Sequence, residues 1–255
     1  LALPEYPMPN GTHRLCLALA TLCAAAAAAA QRPPDAGCSA RHAGPPPRVV
    51  ELYTSEGCSS CPPADRWLSG LRGRSDVLAL AFHVSYWDRL GWPDRFAARA
   101  HNERQSQLAQ RAGSRQVYTP QVVVDGLDWR GWPQLPGVRA GAAAAPPALV
   151  LERRGDRVWA TVPAASGTAP GLAGYWAVLE DRHSSRVTAG ENNGETLQHD
   201  HVVRLYEPVA PWSAAAGTTA SLQVSRGVAE HPRRVAFVVT DVATGKPLQA
   251  LALAC

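Results

Sequence analysis

Short apolar runs alternate with helix-like segments in the first half of the chain. Three runs rich in β-branched and aromatic residues predict strands: 49–53, 77–84 and 122–124. Pro62 and Pro63 predict the start of a helix after the first run, because proline is tolerated in the first helical turn. The stretch 94–112 contains no proline or glycine and predicts a second helix. Strands and helices that alternate in this order predict an α/β layer over residues 48–130.

The pattern changes near residue 148, after which strand-like runs are separated by Gly, Asn and Pro. These runs are 148–152, 158–162, 175–179, 196–206, 221–224, 235–240 and 248–253. Many short strands without helices predict a β-rich, sandwich-like C-terminal portion at 148–255. Segments 31–47 and 131–147 are rich in Pro, Gly and Ala. They predict an arm before the first domain and a linker or short helix between the two domains.

An apolar run near the beginning of the chain predicts export. Arg14 supplies a positive charge before the run 15–30, and small residues near Ala30 offer a cleavage site. We expect translation to start at Met8, residues 1–30 to be a signal peptide, and the mature protein to be periplasmic or secreted. A transmembrane anchor is the alternative, but it needs about 20 apolar residues, and the run is shorter. We therefore expect no stable membrane insertion after cleavage.

Composition and charge exclude some classes of protein. Hydrophobic residues make up 46% of the chain and charged residues 18%, which is ordinary for a globular protein and excludes a wholly disordered one. The formal net charge is +4, and no run of Lys or Arg occurs. Such a small excess gives no field that would attract nucleic acid, so we expect no nucleic-acid partner.

The cysteines predict disulfides once the signal peptide is removed. Four of the six then remain: Cys38, Cys58, Cys61 and Cys255. An even number in an exported protein favours pairing, and Cys58 lies close enough to Cys61 to pair with it. Cys38 and Cys255 lie near the two ends of the mature chain, and the termini of a domain are often close in space. We expect them to form a structural disulfide; an unpaired or intermolecular Cys38 is the alternative.

Cys58 and Cys61 form a C-x-x-C motif between the first predicted strand and the first predicted helix. The N-terminus of a helix favours a thiolate, which predicts a lowered pKa for Cys58 and makes it the attacking sulfur. Cys61 then resolves the mixed disulfide. We expect thiol–disulfide exchange on protein thiols and disulfides, with a redox partner protein and without a cofactor. A structural disulfide in a non-enzymatic binding module, or a metal-handling site that includes His83, are the alternatives.

Three blocks of the sequence resemble an exported bacterial family, domain of unknown function 1223: ELYTSEGCSSCPPAD at 51–65, FHVSYWDRLGW at 82–92 and YTPQVVVDG at 118–126. Segment 50–61 also resembles the active-site strand of glutaredoxins, and segment 119–126 resembles their cis-proline strand and the Asp-Gly that follows it. The resemblance implies an α/β thioredoxin-like fold followed by the β-rich C-terminal portion. It also implies a cis bond between Thr119 and Pro120, with Pro120 at the sulfurs and Thr119 presenting its backbone to an extended substrate.

The chain departs from thioredoxin at the position of the buried acid that precedes the motif. That acid would fall at Leu52, whereas Glu51 is one residue off and faces the other side of the strand. The sequence therefore offers no evident proton acceptor for Cys61. The glutathione-binding residues of glutaredoxins are not identifiable either.

Aromatic residues follow the second predicted strand. Parallel strands end at the same edge of a sheet, so this segment is expected beside Cys58. The predicted substrate-binding residues are Tyr86, Trp87, Asp88 and Trp92, together with Thr119; packing of a loop onto the fold is the alternative. His83 is expected to be a hydrogen-bonded core residue.

Two further groups of polar residues are not expected to belong to a functional site. His199 and His201 would share one face of a strand, as metal ligands can, but no third ligand is evident, so we expect no metal site. Glu103 and Arg104 are expected on a solvated face of the second helix.

Overall fold

The computed structural model describes residues 1–2, 37–137, 145–165 and 171–255. Apart from Leu1 and Ala2, the predicted signal peptide lies outside the described residues, as do the first part of the arm and the middle of the linker, 138–144. Residues 34–255 form one compact unit. A separate unit, 1–33, is described only at Leu1 and Ala2.

The described residues form fourteen strands and two α-helices. In chain order they are β1 (Cys38–His42), β2 (Arg48–Thr54), α1 (Pro62–Ser69), β3 (Val77–His83), α2 (Arg99–Arg111), β4 (Gln121–Val124), β5 (Leu127–Asp128), β6 (Leu149–Arg154), β7 (Arg157–Val162), β8 (Gly171–Glu180), β9 (His183–Arg186), β10 (Thr196–His199), β11 (Val202–Ser213), β12 (Thr218–Gln223), β13 (Arg233–Asp241) and β14 (Pro247–Leu253). A short 3₁₀ turn, Asp88–Leu90, lies between β3 and α2.

Most strands belong to one eight-stranded sheet with the order β14-β13-β8-β11-β3-β2-β4-β5. β2 and β3 are parallel, with Leu52 opposite Ala81, and β4 is antiparallel to β2. β11 runs parallel to β3, and Val202 lies opposite Ala81. Every residue of β3 is buried, as expected for a strand that is covered on both faces.

The expectation of an α/β thioredoxin-like fold is wrong, because the chain is predominantly β. Within the described ranges, the two α-helices have 8 and 13 residues, against fourteen strands. The first half of the chain has the predicted order of strands and helices. However, its sheet does not end at β3, as a separate α/β layer would require. β11 lies beside β3, and β8, β13 and β14 continue the same sheet. A strand's own pattern of residues sets which face is buried and does not identify the strand it pairs with.

The β-rich part also supplies a second sheet, with the order β1-β6-β7-β12. Its buried residues share one core with the C-terminal strands of the long sheet, centred on Trp176 and Phe237, whose rings are 4.7 Å apart. This arrangement is compatible with the expected sandwich-like packing. The predicted domain boundaries stay a prediction.

Both helices pack on the first-half strands. Leu68 of α1 is buried with Val50 and Leu52 of β2. Leu108 of α2 packs against a second group of buried residues that includes Phe82 of β3. The turn between β2 and α1 is thereby held between two packed elements. Among the described residues, no helix is long and apolar enough to cross a membrane.

Two predicted boundaries are wrong for local reasons. α2 begins at Arg99 and not at residue 94, because Asp94 uses its side chain to accept backbone hydrogen bonds from Glu56 and Phe96. The run 196–206 is divided into β10 and β11, since His201 has a φ of 58°, which a strand does not allow. The sequence patterns also missed β1 and β9.

Candidate functional site

Cys58 and Cys61 lie in the turn between β2 and α1 and form a disulfide, with their Cα atoms 5.4 Å apart. Cys61 is the N-cap residue of α1, and its N–H donates to the carbonyl of Cys58 at 3.1 Å. Both cysteines are fully buried, whereas Ser59 and Ser60 between them are exposed. The motif therefore lies at the surface with its sulfur atoms turned inward.

The Thr119 side chain contacts the sulfur of Cys58. Its Oγ1 donates to Cys58 Sγ at 3.3 Å and accepts a hydrogen bond from Trp87 Nε1 at 2.8 Å. The Thr119–Pro120 bond is cis, as predicted. Ser60 Oγ lies 3.4 Å from the same sulfur. The structure thus brings together Cys58, Thr119 and Trp87, which are far apart in sequence.

The donors at Cys58 differ from those that the sequence predicted. Pro62 and Pro63 have no N–H groups, and the N–H of Cys61 is bonded to a carbonyl. The start of α1 therefore offers fewer backbone donors than an ordinary helix. Side-chain hydroxyl groups supply the hydrogen bonds to the sulfur instead.

The other predicted substrate-binding residues after β3 make hydrogen bonds within their loop and to neighbouring elements. Tyr86 is half-buried and donates to Gln105 Oε1 at 3.3 Å. Trp92 Nε1 donates to Glu56 Oε2 at 2.7 Å, and Asp88 accepts the backbone N–H of Asp94.

A buried group of acids and histidines underlies the motif. His83 Nδ1 and Asp94 Oδ2 are 2.7 Å apart, and His199 Nε2 and Glu56 Oε1 are 3.2 Å apart. The two imidazole rings are also neighbours, with centroids 4.9 Å apart. His83 is thus a hydrogen-bonded core residue. Glu56 lies two residues before Cys58, so this group reaches the base of the motif.

Burial and charge act in opposite directions on these groups. Burial alone would raise the pKa of Asp94. The charge of His83 and the hydrogen bonds that the Asp94 carboxylate accepts lower that pKa to about 2. Burial would lower the pKa of His83, but the charges of Asp94, Asp65 and Glu56 raise it. The pKa of Glu56 is lowered because hydrogen bonds from His199 and other donors outweigh its burial. Both shifts favour the charged forms of His83 and Asp94.

Asp65 is a buried acid that the sequence analysis missed. It lies one helical turn after Cys61, and its N–H donates to the carbonyl of Cys61 at 3.1 Å. Residues at this spacing share one helix face, and the side chain of the later one leans back toward the earlier. Asp65 Oδ2 accepts a hydrogen bond from Thr54 at 3.0 Å, and burial raises the pKa of Asp65. A cavity of about 90 Å³ bordered by Asp65 and His199 opens beside it.

A loop of the β-rich part also contacts the motif. Glu191 Oε2 accepts hydrogen bonds from the N–H and the hydroxyl of Ser59, at 3.0 and 2.8 Å. Asn192 is buried, and its Nδ2 donates to the carbonyls of Glu56 and Cys58, at 2.8 and 3.0 Å. The sequence analysis did not identify this contact, because nothing local indicates a contact across more than 130 residues of chain.

Two further expectations are wrong. His199 and His201 do not share a face, since His199 bonds to Glu56 while His201 contacts Arg234. Arg104 is not solvated: it is buried and bonded to Glu51, although Glu103 is exposed as expected. In the part of the chain that the structure describes, no group of three or more His, Cys, Asp or Glu side chains is arranged to hold a metal ion.

Cys38 and Cys255 form a second disulfide, with their Cα atoms 6.6 Å apart. Cys38 begins β1 in the four-stranded sheet, and Cys255 follows β14 at the edge of the eight-stranded sheet. This bond therefore joins the two sheets. The two cysteines that form it lie outside the C-x-x-C motif in the sequence.

Two solved structures resemble this chain. A crystal structure of protein AGR_C_4864 from Agrobacterium tumefaciens has a TM-score of 0.58 and 24% sequence identity, over 83% of this chain and 95% of that one. HBP35 of Porphyromonas gingivalis has a TM-score of 0.51 and 14% identity, over 82% of this chain and 75% of that one. At these identities the likeness concerns the fold alone.

The family comparison covers the site itself. No curated protein matches the chain. The family described as "Protein of unknown function (DUF1223)" matches residues 49–240, which include β2, the C-x-x-C motif, the Thr119–Pro120 segment and the loop that carries Glu191. The match spans well over half of the 255 residues. The chain therefore belongs to the DUF1223 family.

Proposed function

We propose that this protein is a thiol–disulfide oxidoreductase in which Cys58 attacks and Cys61 resolves. The observation that carries the proposal is the hydrogen bond of 3.3 Å from the Thr119 hydroxyl to Cys58 Sγ. A hydroxyl donor stabilises a thiolate, and the dipole of α1 acts in the same direction at its N-terminus. A purely structural disulfide has no need of a donor aimed at one of its two sulfur atoms.

The exchange proceeds in two steps. The thiolate of Cys58 attacks one sulfur of a substrate disulfide; a mixed disulfide forms, and the other substrate sulfur leaves as a thiolate and is protonated. Cys61 then loses its proton, and its sulfur attacks Cys58 Sγ. The Cys58–Cys61 bond forms, the mixed disulfide breaks, and the second substrate thiolate leaves and takes up a proton, which balances the proton that Cys58 lost on ionisation. The substrate gains two electrons and two protons, and the cysteine pair loses them. The reverse sequence oxidises a substrate dithiol.

We propose protein thiols and disulfides as the substrates and a redox partner protein that restores the pair. Thr119 and Trp87 lie beside Cys58 and provide backbone, hydroxyl and aromatic surface for an extended peptide. We place this chemistry outside the cytoplasm, in the periplasm or the secreted fraction, where disulfides persist. The predicted signal peptide and the two disulfides support that location.

The reduction potential of the Cys58–Cys61 pair is the decisive measurement. We expect a value between about −270 and −120 mV, the range of catalytic pairs. Equilibration with graded ratios of oxidised and reduced dithiothreitol or glutathione, followed by alkylation and mass spectrometry, measures it. A potential below about −300 mV would assign the bond a structural role.

A second experiment tests activity directly. Cys61→Ser is expected to accumulate mixed disulfides with protein substrates that contain a disulfide, and Cys58→Ser is expected to form none. The double variant Cys38→Ser/Cys255→Ser is the matched control, because it removes a disulfide and leaves the motif unchanged. Equal trapping by the two single variants would contradict the assigned roles.

A further inference from the structure

We propose that Glu191 and Asn192 form a clasp from the β-rich part that restrains the reactivity of Cys58, an inference that rests on the proposed oxidoreductase function. The clasp has two contacts with the motif. Glu191 binds Ser59, the residue next to Cys58, and Asn192 binds the carbonyls on both sides of Gly57. Glu191 is a positioning residue that acts electrostatically on the neighbouring sulfur.

Asn192 supplies the mechanical part of the clasp. Its buried amide donates from one nitrogen to the carbonyls of Glu56 and Cys58. These two bonds fix the backbone of the turn that carries Cys58. A buried carbonyl that loses its donor is costly, so release of the turn requires the loop to move as a unit or water to replace the amide. The clasp therefore holds Cys58 in its fully buried position.

Glu191 supplies the electrostatic part. The two hydrogen bonds from Ser59 lower the pKa of Glu191, so the side chain is a carboxylate at neutral pH. Its negative charge lies beside the residue that follows Cys58 and opposes a second negative charge on the Cys58 sulfur. The same carboxylate occupies a backbone N–H next to the start of α1. In this region Pro62 and Pro63 already reduce the number of donors.

This arrangement has a chemical consequence. Thr119 favours the thiolate of Cys58, and Glu191 disfavours it, so the balance of the two sets how much thiolate exists near neutral pH. A less stable thiolate makes the dithiol form less stable and the disulfide harder to reduce. A substrate that displaces the Glu191 side chain from Ser59 would activate Cys58 at the moment of binding.

The test compares Glu191→Gln with Glu195→Gln, an exposed carboxylate in the same loop. The glutamine keeps an acceptor for Ser59 and removes the charge. We expect reduced Glu191→Gln to be alkylated by iodoacetamide at Cys58 roughly two- to tenfold faster than wild type at pH 6, with its pH midpoint shifted down. We also expect its equilibrium with dithiothreitol to shift toward the dithiol by a similar factor. Glu195→Gln should behave as wild type.

The outcomes separate this inference from the proposed function. If wild-type Cys58 exchanges with substrates but Glu191→Gln has the same alkylation profile and equilibrium, the clasp is wrong and the function stands. If Glu195→Gln gives the same shift, the effect is one of overall charge and the clasp is also wrong. A wild-type potential in the structural range removes the function itself.

Asn192→Ala tests the mechanical part independently. Reduction of its oxidised form by dithiothreitol is expected to be several-fold faster than in wild type, because the turn that buries Cys58 is released. Near-ultraviolet circular dichroism of the variant checks that the rest of the fold is retained, and Asn192→Ser serves if the alanine variant does not fold. An unchanged rate in a folded variant would contradict the clasp.

Discussion

We expect Asp65 to be the proton acceptor for Cys61 that the sequence did not provide. Its carboxyl is buried one turn after Cys61, is held by Thr54, and borders a cavity that connects it with His199. A buried acid with a raised pKa, beside a cavity, is suited to receive the proton of the Cys61 thiol.

Asp65→Asn is therefore expected to slow the release of a thiol from the mixed disulfide at Cys58 by roughly 10- to 100-fold. Asparagine retains an oxygen for Thr54, so the effect should lie in proton transfer and not in packing. The measurement is stopped-flow release of 2-nitro-5-thiobenzoate from Cys58. Asp76→Asn, at an exposed surface carboxylate, is the control.

The pH profile distinguishes a base from a structural residue. A base must be deprotonated to act, and burial raises the pKa of Asp65 above its usual value of 3.8. The wild-type rate should therefore rise with pH as Asp65 loses its proton. In Asp65→Asn that rise should be absent, leaving the increase that follows ionisation of the Cys61 thiol. An identical profile in the two proteins would exclude Asp65 as the acceptor.

At the scale of residues, the sequence identifies functional residues that stand close together in the chain. It does not identify contacts between residues that only the fold brings together. Cys58, Cys61 and the Thr119–Pro120 pair stand in short motifs, so spacing and resemblance predict them. Asp65 has the spacing of a helix neighbour of Cys61, and that signal was present in the sequence. Glu191 and Asn192 have no local signal, because a surface turn has the same composition whether or not it touches a distant site.

At the scale of secondary-structure elements, Arg104 connects α2 to the eight-stranded sheet. Two of its guanidinium nitrogens bond to the carboxylate of Glu51 on β2, at 2.6 and 3.0 Å. The guanidinium carbon also lies 4.2 and 5.0 Å from the ring centroids of Tyr175 and Tyr206, on β8 and β11. One side chain thus connects a helix with strands from both halves of the chain.

Arg104→Met is expected to lower the free energy of unfolding by about 3–5 kcal/mol, because it removes the positive charge that pairs with the buried Glu51 carboxylate and leaves that carboxylate with hydrogen bonds from Tyr53 and Tyr175. Urea unfolding measures the loss. Arg99→Met, at an exposed residue of the same helix that pairs with Glu103, should cost less than about 1 kcal/mol. A double variant, Glu51→Gln/Arg104→Met, should recover part of the loss. A single-variant loss as small as that of Arg99→Met would contradict the role given to the pair.

The helical pattern explains why Arg104 was placed on a solvated face. Its neighbours in α2 are polar, and arginine is rarely buried unless it is paired. The acid that pairs with it stands 53 residues earlier, and the tyrosines stand more than 70 residues later. The sequence predicts that α2 exists; the partners of its buried face depend on how the strands are ordered.

At the scale of the whole molecule, the order of strands is what the sequence could not supply. The pairing of β11 with β3 joins residues about 120 positions apart, Val202 and Ala81. The apolar pattern of β11 is satisfied equally by a separate sandwich or by an extension of the first sheet, since both bury the same face. The positions of most strands were therefore predictable from the sequence. The assignment to the α/β class was wrong because the sequence did not show which strands pair with each other.

The Cys38–Cys255 disulfide also joins parts of the chain that are far apart in sequence. It links residues 217 positions apart and connects the start of β1 with the end of β14. Both cysteines pack at the margin of the core shared by the two sheets. By restricting the unfolded chain, a bond across so long a segment can stabilise the native state by up to about 5 kcal/mol.

Cys38→Ser/Cys255→Ser is accordingly expected to unfold at lower urea concentration than the oxidised wild type, with a loss of about 2–5 kcal/mol. The double replacement avoids an unpaired thiol. Cys58→Ser/Cys61→Ser is the comparison, and it should lose less through chain entropy, because the bond between residues three positions apart closes a very short loop. Non-reducing peptide mapping must first recover Cys38 and Cys255 as one linked peptide from the oxidised protein. A Cys38 peptide recovered alone, or a double variant as stable as wild type, would contradict a stabilising bond between the two sheets.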